Sequence, residues 1–254
     1  MSTTRDLRLG LRANLAQFSL LVAVNALVGG MVGQEQTVLP LLAHQEFHLT
    51  GYTFLLTYVL AFGITKAATN YLAGTWSDRF GRKPVLLVGW LIAIPVPLLL
   101  IWAPSWAWVV AANMLLGINQ GLTWSTTVVM KIDLVGPRQR GLAMGLNEAA
   151  GYGAVAVTAA LAGYLAARYG LRPAPFLLGL SYALIGTSLC AVFVRETRHH
   201  AHLEATDHAQ RADHAAPTNP EIFTRTSFTE AALSAASQAG LVNNLNFGLS
   251  WGLF

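Results

Sequence analysis

The sequence predicts an all-α membrane protein: a six-helix transmembrane bundle of two inverted three-helix repeats, followed by a linker and the start of a seventh helix. Three observations predict it. Hydrophobic types make up 54% of the 254 residues and charged types only 11%, where a soluble domain carries about a quarter charged. The uncharged residues come in runs that match the roughly 20 needed to cross about 30 Å of hydrocarbon. A turn-like segment also recurs 89 residues downstream of its first copy. Such a chain could not keep a soluble surface wetted, which excludes a soluble enzyme, a nucleic-acid binder and a secreted disulfide scaffold. The net charge of +4 is spread in short basic groups between apolar runs, a membrane pattern rather than a nucleic-acid patch. Cys190, the single cysteine, permits no internal disulfide.

The spans follow in order. Ala13 to Gln34 carries no charged side chain and makes span one. It is too long for a signal-peptide core, and a second run follows closely, so it is a retained span. Span two covers Gly51 to Ala73 and contains Lys66. Pro84 to Met130 is 47 residues without a charge, too long for one crossing, and Ala103, Pro104 and Ser105 break it into spans three and four. Span five runs from Gly141 to Ala167 around Glu148, and Pro173 to Val194 makes span six. Residues 1–195 are therefore the transmembrane domain. Residues 196–238, rich in His, Ala, Asp and Thr, form a solvated cytoplasmic linker. Residues 239–254 read as the truncated start of span seven.

Lysine and arginine placement sets the orientation. With the N-terminus in the cytoplasm, all but three of the sixteen basic residues fall on the inside, among them Arg5, Lys131 and Arg211. The exceptions are Lys66 in the membrane and Arg168 and Arg172 outside. The repeat accounts for the last two. G-T-W-S-D-R-F-G-R-K-P from Gly74 and G-Y-L-A-A-R-Y-G-L-R-P from Gly163 share glycine, arginine, aromatic, glycine, basic and proline in register. Three spans separate the copies, so they face opposite sides, as in the inverted repeats within each half of many secondary transporters.

Gly74, Asp78, Arg79, Gly81, Arg82 and Lys83 resemble the G-x-x-x-D-R-x-G-R-K loop of the major facilitator superfamily, in the expected place between spans two and three. The resemblance implies the amino-terminal half of a twelve-span transporter. It further implies that Asp78, Arg82 and Asp133, at the cytoplasmic end of span four, form a gating latch, and that spans one and four line the substrate cavity. Asn25, Asn113, Asn119, Gln120, Trp124 and Thr126 are then the cavity candidates. Residues 124–148 also look like a group of bacterial permeases.

Charges inside a bilayer face water or a partner by default. Lys66 lies eight residues before Gly74, about 12 Å deep, and Glu148 seven past Gly141, about 10 Å deep from the same side. A direct pair between them is one option. Glu35 is expected near the outer end of span one, and Glu35-Gln-Thr-Val-Leu-Pro40 partly resembles the acid-x-Thr motif of drug/proton antiporters. Glu35 and Glu148 are the candidates for proton coupling, since a desolvated carboxylate binds and releases a proton as a cavity changes sides. Two departures from the antiporter pattern stand against the efflux lean. Asn113 takes the place of a span-four basic residue, and residues 151–158 lack a Gly-Pro element.

The expected function is secondary active transport of a small solute by alternating access, proton-coupled and leaning to efflux, in a bacterial inner membrane. The alternative is a non-transporting fragment or interaction subunit. Either needs the lipid bilayer and a carboxy-terminal half or second chain. No phosphate-binding loop or catalytic constellation is present, so no enzyme, cofactor or nucleic-acid partner is expected. His199, His200, His202, His208 and His214 cluster in the linker without the spacing of a closed metal site, and no metal is expected.

Overall fold

The computed structural model describes residues 8–49, 51–209 and 219–250. Arg5, Arg211, His214, the side chain of His208 and the last four residues of the expected span seven lie outside them. The described residues are mainly helical and fall into two compact units, residues 1–204 and 205–254.

The first unit holds α1 (Leu15–Gln45), α2 (Tyr52–Phe80), α3 (Arg82–Ala93), α4 (Pro95–Ile101), α5 (Trp106–Val135), α6 (Arg140–Tyr169), α7 (Ala174–Val192) and the first residues of α8 (Arg198–Ala209). Pro95 and Pro97 interrupt the backbone ladder between α3 and α4, which together form one apolar rod, Arg82–Ile101. Four helical stretches are long and apolar enough to cross a membrane: Leu15–Gln45, Arg82–Ile101, Pro137–Tyr169 and Ala174–Val192. The other two rods, α2 and α5, have the length, at 29 and 30 residues, but carry polar groups in mid-run.

Three boundaries differ from expectation for one reason. Span one continues past Gln34 through Glu35 to Gln45, span two continues past Ala73 to Phe80, and span four continues past Met130 through Lys131 and Asp133 to Val135. Counting uncharged residues ends a span at the first charge, but a buried or paired charge does not end a helix. Asp78 and Arg79 thus lie on the last turn of α2 rather than in a loop, and Gly81 alone separates α2 from α3. At its φ of 101° a side chain would be strained. Its N–H closes α2 on the Ser77 carbonyl at 3.1 Å. Gly170, 89 residues on, repeats this at φ 88°, closing α6 on Ala166 at 3.0 Å.

The packing repeats as well. Most of the contact made by α1 is with α6, and α5 touches α2 more than any other helix. If α1, α2 and α3–α4 correspond to α5, α6 and α7, these two interfaces are equivalents. Each is built on a pair of glycines four apart. A Cβ on Gly29 or Gly33 of α1 would lie 2.2 Å from the Gly151 carbonyl oxygen or 2.3 Å from that of Val155. On Gly117 or Gly121 of α5 it would meet Phe62 O at 2.5 Å or Lys66 O at 3.1 Å.

Contacts define two ends. At one, Arg82 reaches Asp133, and the Gln17 side chain donates to the Phe193 carbonyl at 2.9 Å. At the other, Arg172 pairs with Glu46 and donates to the Ala103 carbonyl at 2.9 Å. The two copies of the repeated segment are at opposite ends.

The expected linker contains helices: α8, then α9 (Asn219–Thr224), a π-turn over Arg225–Thr229 and α10 (Ala231–Ser250). Alanine-rich composition favours helix here. In α10 the apolar stretch Ala231–Val242 begins eight residues before Ala239.

Candidate functional site

The membrane-depth charges lie on three helices. Lys66 is fourteen residues from each end of α2, so about 21 Å from either, deeper than the 12 Å read from Gly74. Glu148 is eight residues into α6, about 12 Å. The two make no direct ion pair among the described residues. Trp124 of α5 stands between them. The Lys66 ammonium lies 5.5 Å from the Trp124 ring and 5.4 Å from Phe62, while the indole N–H donates to Glu148 at 3.3 Å. Tyr152, one turn after Glu148, meets Trp124 edge-on at 5.7 Å. All four side chains are half-buried and share one wall of the bundle.

Glu35 is 0% exposed, so the outer-end position expected for it is corrected. It lies ten residues before the end of α1, about 15 Å in. Asn113 of α5 and Tyr58 of α2 are its polar neighbours, yet neither carboxyl oxygen reaches a hydrogen-bond partner in good geometry.

The amide candidates are placed differently from expectation. Asn25 donates to the Asn147 carbonyl at 2.9 Å, Asn119 to Gly89 at 2.9 Å, Gln120 to Val28 at 2.9 Å and Asn113 to Val109 at 3.0 Å. These four and Thr126 are fully enclosed between helices. Unpaired amides in a low-dielectric core are costly, and all four amide nitrogens are paired, those of Asn25, Asn119 and Gln120 to a neighbouring helix and that of Asn113 within α5. Asn113 Oδ1, Gln120 Oε1 and Thr126 Oγ1 have no hydrogen-bond partner among the described residues. Of the six, only Trp124 reaches the open wall.

Lys131, assigned above to the cytoplasmic margin, is a second correction. It is 1% exposed and donates to Leu21 O at 3.2 Å and to Asn147 Oδ1, whose amide nitrogen in turn donates to Glu148 at 2.8 Å. A helical period was the missed signal, because Gln120, Trp124, Thr127 and Lys131 fall on one stripe of α5.

At the Gly81 end, Asp78, Arg82 and Asp133 converge. The buried Arg82 guanidinium binds Asp133 at 3.2 Å, Ser77 Oγ at 3.1 Å and the exposed Asp78. Gly74 faces open space, and the Lys83 ammonium caps the Ala191 carbonyl at 2.9 Å. Two residues here were not anticipated. Thr197 donates its hydroxyl to Asp133 at 2.9 Å. Glu196 accepts the backbone N–H groups of Arg82, Lys83, Thr197 and Arg198, each at 3.0 Å. Burial alone would raise the Glu196 carboxyl, but those four donors hold it below the usual carboxylate range. Among the described residues no group of histidines, cysteines or acids is arranged to hold a metal.

The Major Facilitator Superfamily profile matches residues 10–253. The chain belongs to this superfamily. Multidrug resistance protein 1 of Bacillus subtilis is 27% identical over 151 residues, 59% of this chain and 38% of that protein. An uncharacterized MFS-type transporter of Salmonella typhimurium is 29% identical over 153 residues, 55% of this chain and 38% of that protein. Multidrug resistance protein 2 of B. subtilis is 27% identical over 150 residues, 59% and 37%. The chain thus covers under two fifths of the length of these relatives. Family membership and the apolar helices make it a multi-pass membrane protein of a transporter superfamily, all-α in its described residues.

Proposed function

We propose that residues 1–195 form one six-span wall of a secondary active transporter that moves a small solute by alternating access, coupled to protons and directed to efflux from a bacterium. Rocking about a central site needs a second half, from further sequence or from a second chain. The N-terminus is cytoplasmic in this reading, and Asp78, Arg82 and Asp133 act as the cytoplasmic latch. The wall bearing Lys66, Trp124, Tyr152 and Glu148 faces the solute.

The observation that carries proton coupling is Glu35. An ionised carboxylate with no cation beside it costs several kcal/mol in such surroundings. The enclosed group therefore holds a proton, and wetting of the cavity on one side releases it. Efflux follows the likeness to the two multidrug resistance proteins. Flux by the full-length protein in proteoliposomes, with and without a pH gradient, tests the reading. The gradient is expected to stimulate wild-type flux, and Glu35→Gln to abolish that stimulation while leaving solute binding. Stimulation that survives in Glu35→Gln would remove this residue from the coupling, and a gradient-insensitive wild type would remove coupling itself.

A further inference from the structure

One cavity of the bundle shares no lining residue with the wall of Lys66, Trp124, Tyr152 and Glu148. Trp76 and Phe80 of α2, Pro84, Val85 and Val88 of α3 and Leu122 of α5 enclose about 460 Å³, within the range of ligand-sized sites. Its lining is wholly apolar. Leu122, 1% exposed, closes the floor, while Val88 and Phe80 are about half exposed at the mouth.

Two cations lie beside this cavity, one on a lining residue and the other against the backbone of the first. The Arg79 guanidinium stacks 5.2 Å from the Phe80 ring, and Arg198 directs Nη1 at the Arg79 carbonyl, 3.5 Å away. The carboxylates of this end are committed elsewhere: Asp78 and Asp133 to Arg82, Glu196 to backbone N–H groups. Neither guanidinium has an acidic partner among the described residues.

We propose that this groove binds an anionic phospholipid, one acyl chain in the cavity and the phosphate between Arg79 and Arg198. Charge complementarity selects this occupant. A second hydrophobic helix would fill the groove but leave two guanidinium groups unmatched, and a zwitterionic lipid would offset its own phosphate. The depth agrees: Trp76 is four residues from the end of α2, about 6 Å, where indole rings favour the headgroup level. Anionic lipid also gains most from arginines near the membrane surface.

Native mass spectrometry of the full-length protein, titrated with dioleoyl-phosphatidylglycerol or dioleoyl-phosphatidylcholine, tests this without using transport, so its failure leaves the transport reading standing. Wild type is expected to retain the glycerol lipid over the choline lipid. Arg79→Gln with Arg198→Gln is expected to weaken that retention roughly tenfold to thirtyfold. Val88→Trp, which fills the groove and keeps both cations, should weaken it too. Equal retention of the two lipids by wild type, or unchanged preference in both variants, would overturn the proposal. So would protection of a Val88→Cys thiol in delipidated protein, which would mean that polypeptide covers the groove.

Discussion

Glu196 shows what a single side chain can hold together. Its two oxygens take the first N–H groups of α3 and of α8, donors that a helix leaves unpaired. Glu196→Gln keeps the shape but loses the charge assistance, and should cost about 1 to 3 kcal/mol. The pH sign follows from the depressed carboxyl. Its stabilisation is complete above the unfolded value near 4.3 and is lost as pH falls through the lower folded value. Thermal unfolding of the full-length protein should therefore show a flatter acid limb for Glu196→Gln, and a parallel limb would refute the assignment. Lys131 makes the opposite case. Asn147→Ala strips its ammonium of an acceptor and should destabilise by about 1 to 3 kcal/mol, whereas Lys131→Met removes the buried charge together with its need for partners and should cost less. If the double variant loses no less than the two single losses added, the pair is uncoupled. Glu196 was not legible in the sequence, and for Lys131 only the stripe it shares with Gln120, Trp124 and Thr127 pointed inward. Both are ionisable groups at the edge of an apolar run, where a solvated charge and an enclosed one look alike until the partners on other helices are known.

Helix contacts were written more plainly than that reading took up. The residues at 29 and 33 and at 117 and 121 are all glycine, 88 apart, close to the 89-residue offset of the repeated segment. They let α1 touch the α6 backbone and α5 touch that of α2, the close approach that small residues allow in membranes. Gly33→Ala would put a methyl 2.3 Å from the Val155 carbonyl oxygen and should destabilise by about 1 to 3 kcal/mol. Gly153→Ala, with nothing within 4 Å, should be neutral or stabilising by up to about 1 kcal/mol. Melting temperatures of the two variants in one detergent decide the matter, and similar shifts would show that the α1–α6 contact is slack. Existence and order of the helices were legible because apolar runs and their breaks report length directly. The ends of α1 and α2 were not, since Glu35 is enclosed and Asp78 and Arg79 are tied on the last turn of a helix.

On the scale of the molecule, the two copies of the repeated segment are alike in backbone and unlike in chemistry. Gly81 and Gly170 turn the chain in the same way, but Arg82 binds two carboxylates and a serine, while Arg172 has one carboxylate and backbone carbonyls. An inverted repeat places these groups on opposite faces of the bilayer, and the Arg82 end then carries the larger network and the more open acid, the Asp78 side chain being 71% exposed against 32% for that of Glu46, free to engage a moving partner. Sidedness is therefore the quantity on which both latch and efflux depend. Single cysteines at positions 78 and 168, in a Cys190→Ala background, would be labelled in intact cells with a membrane-impermeant maleimide. Cys190 is buried, so its removal clears residual signal. Position 168 should react from outside and position 78 only after the cells are opened. Labelling of both from one side would undo the mirrored arrangement and, with it, a latch at the cytoplasmic face. A reversed result would keep the repeat but turn the transporter over, placing the Arg82 network outside against the distribution of basic residues.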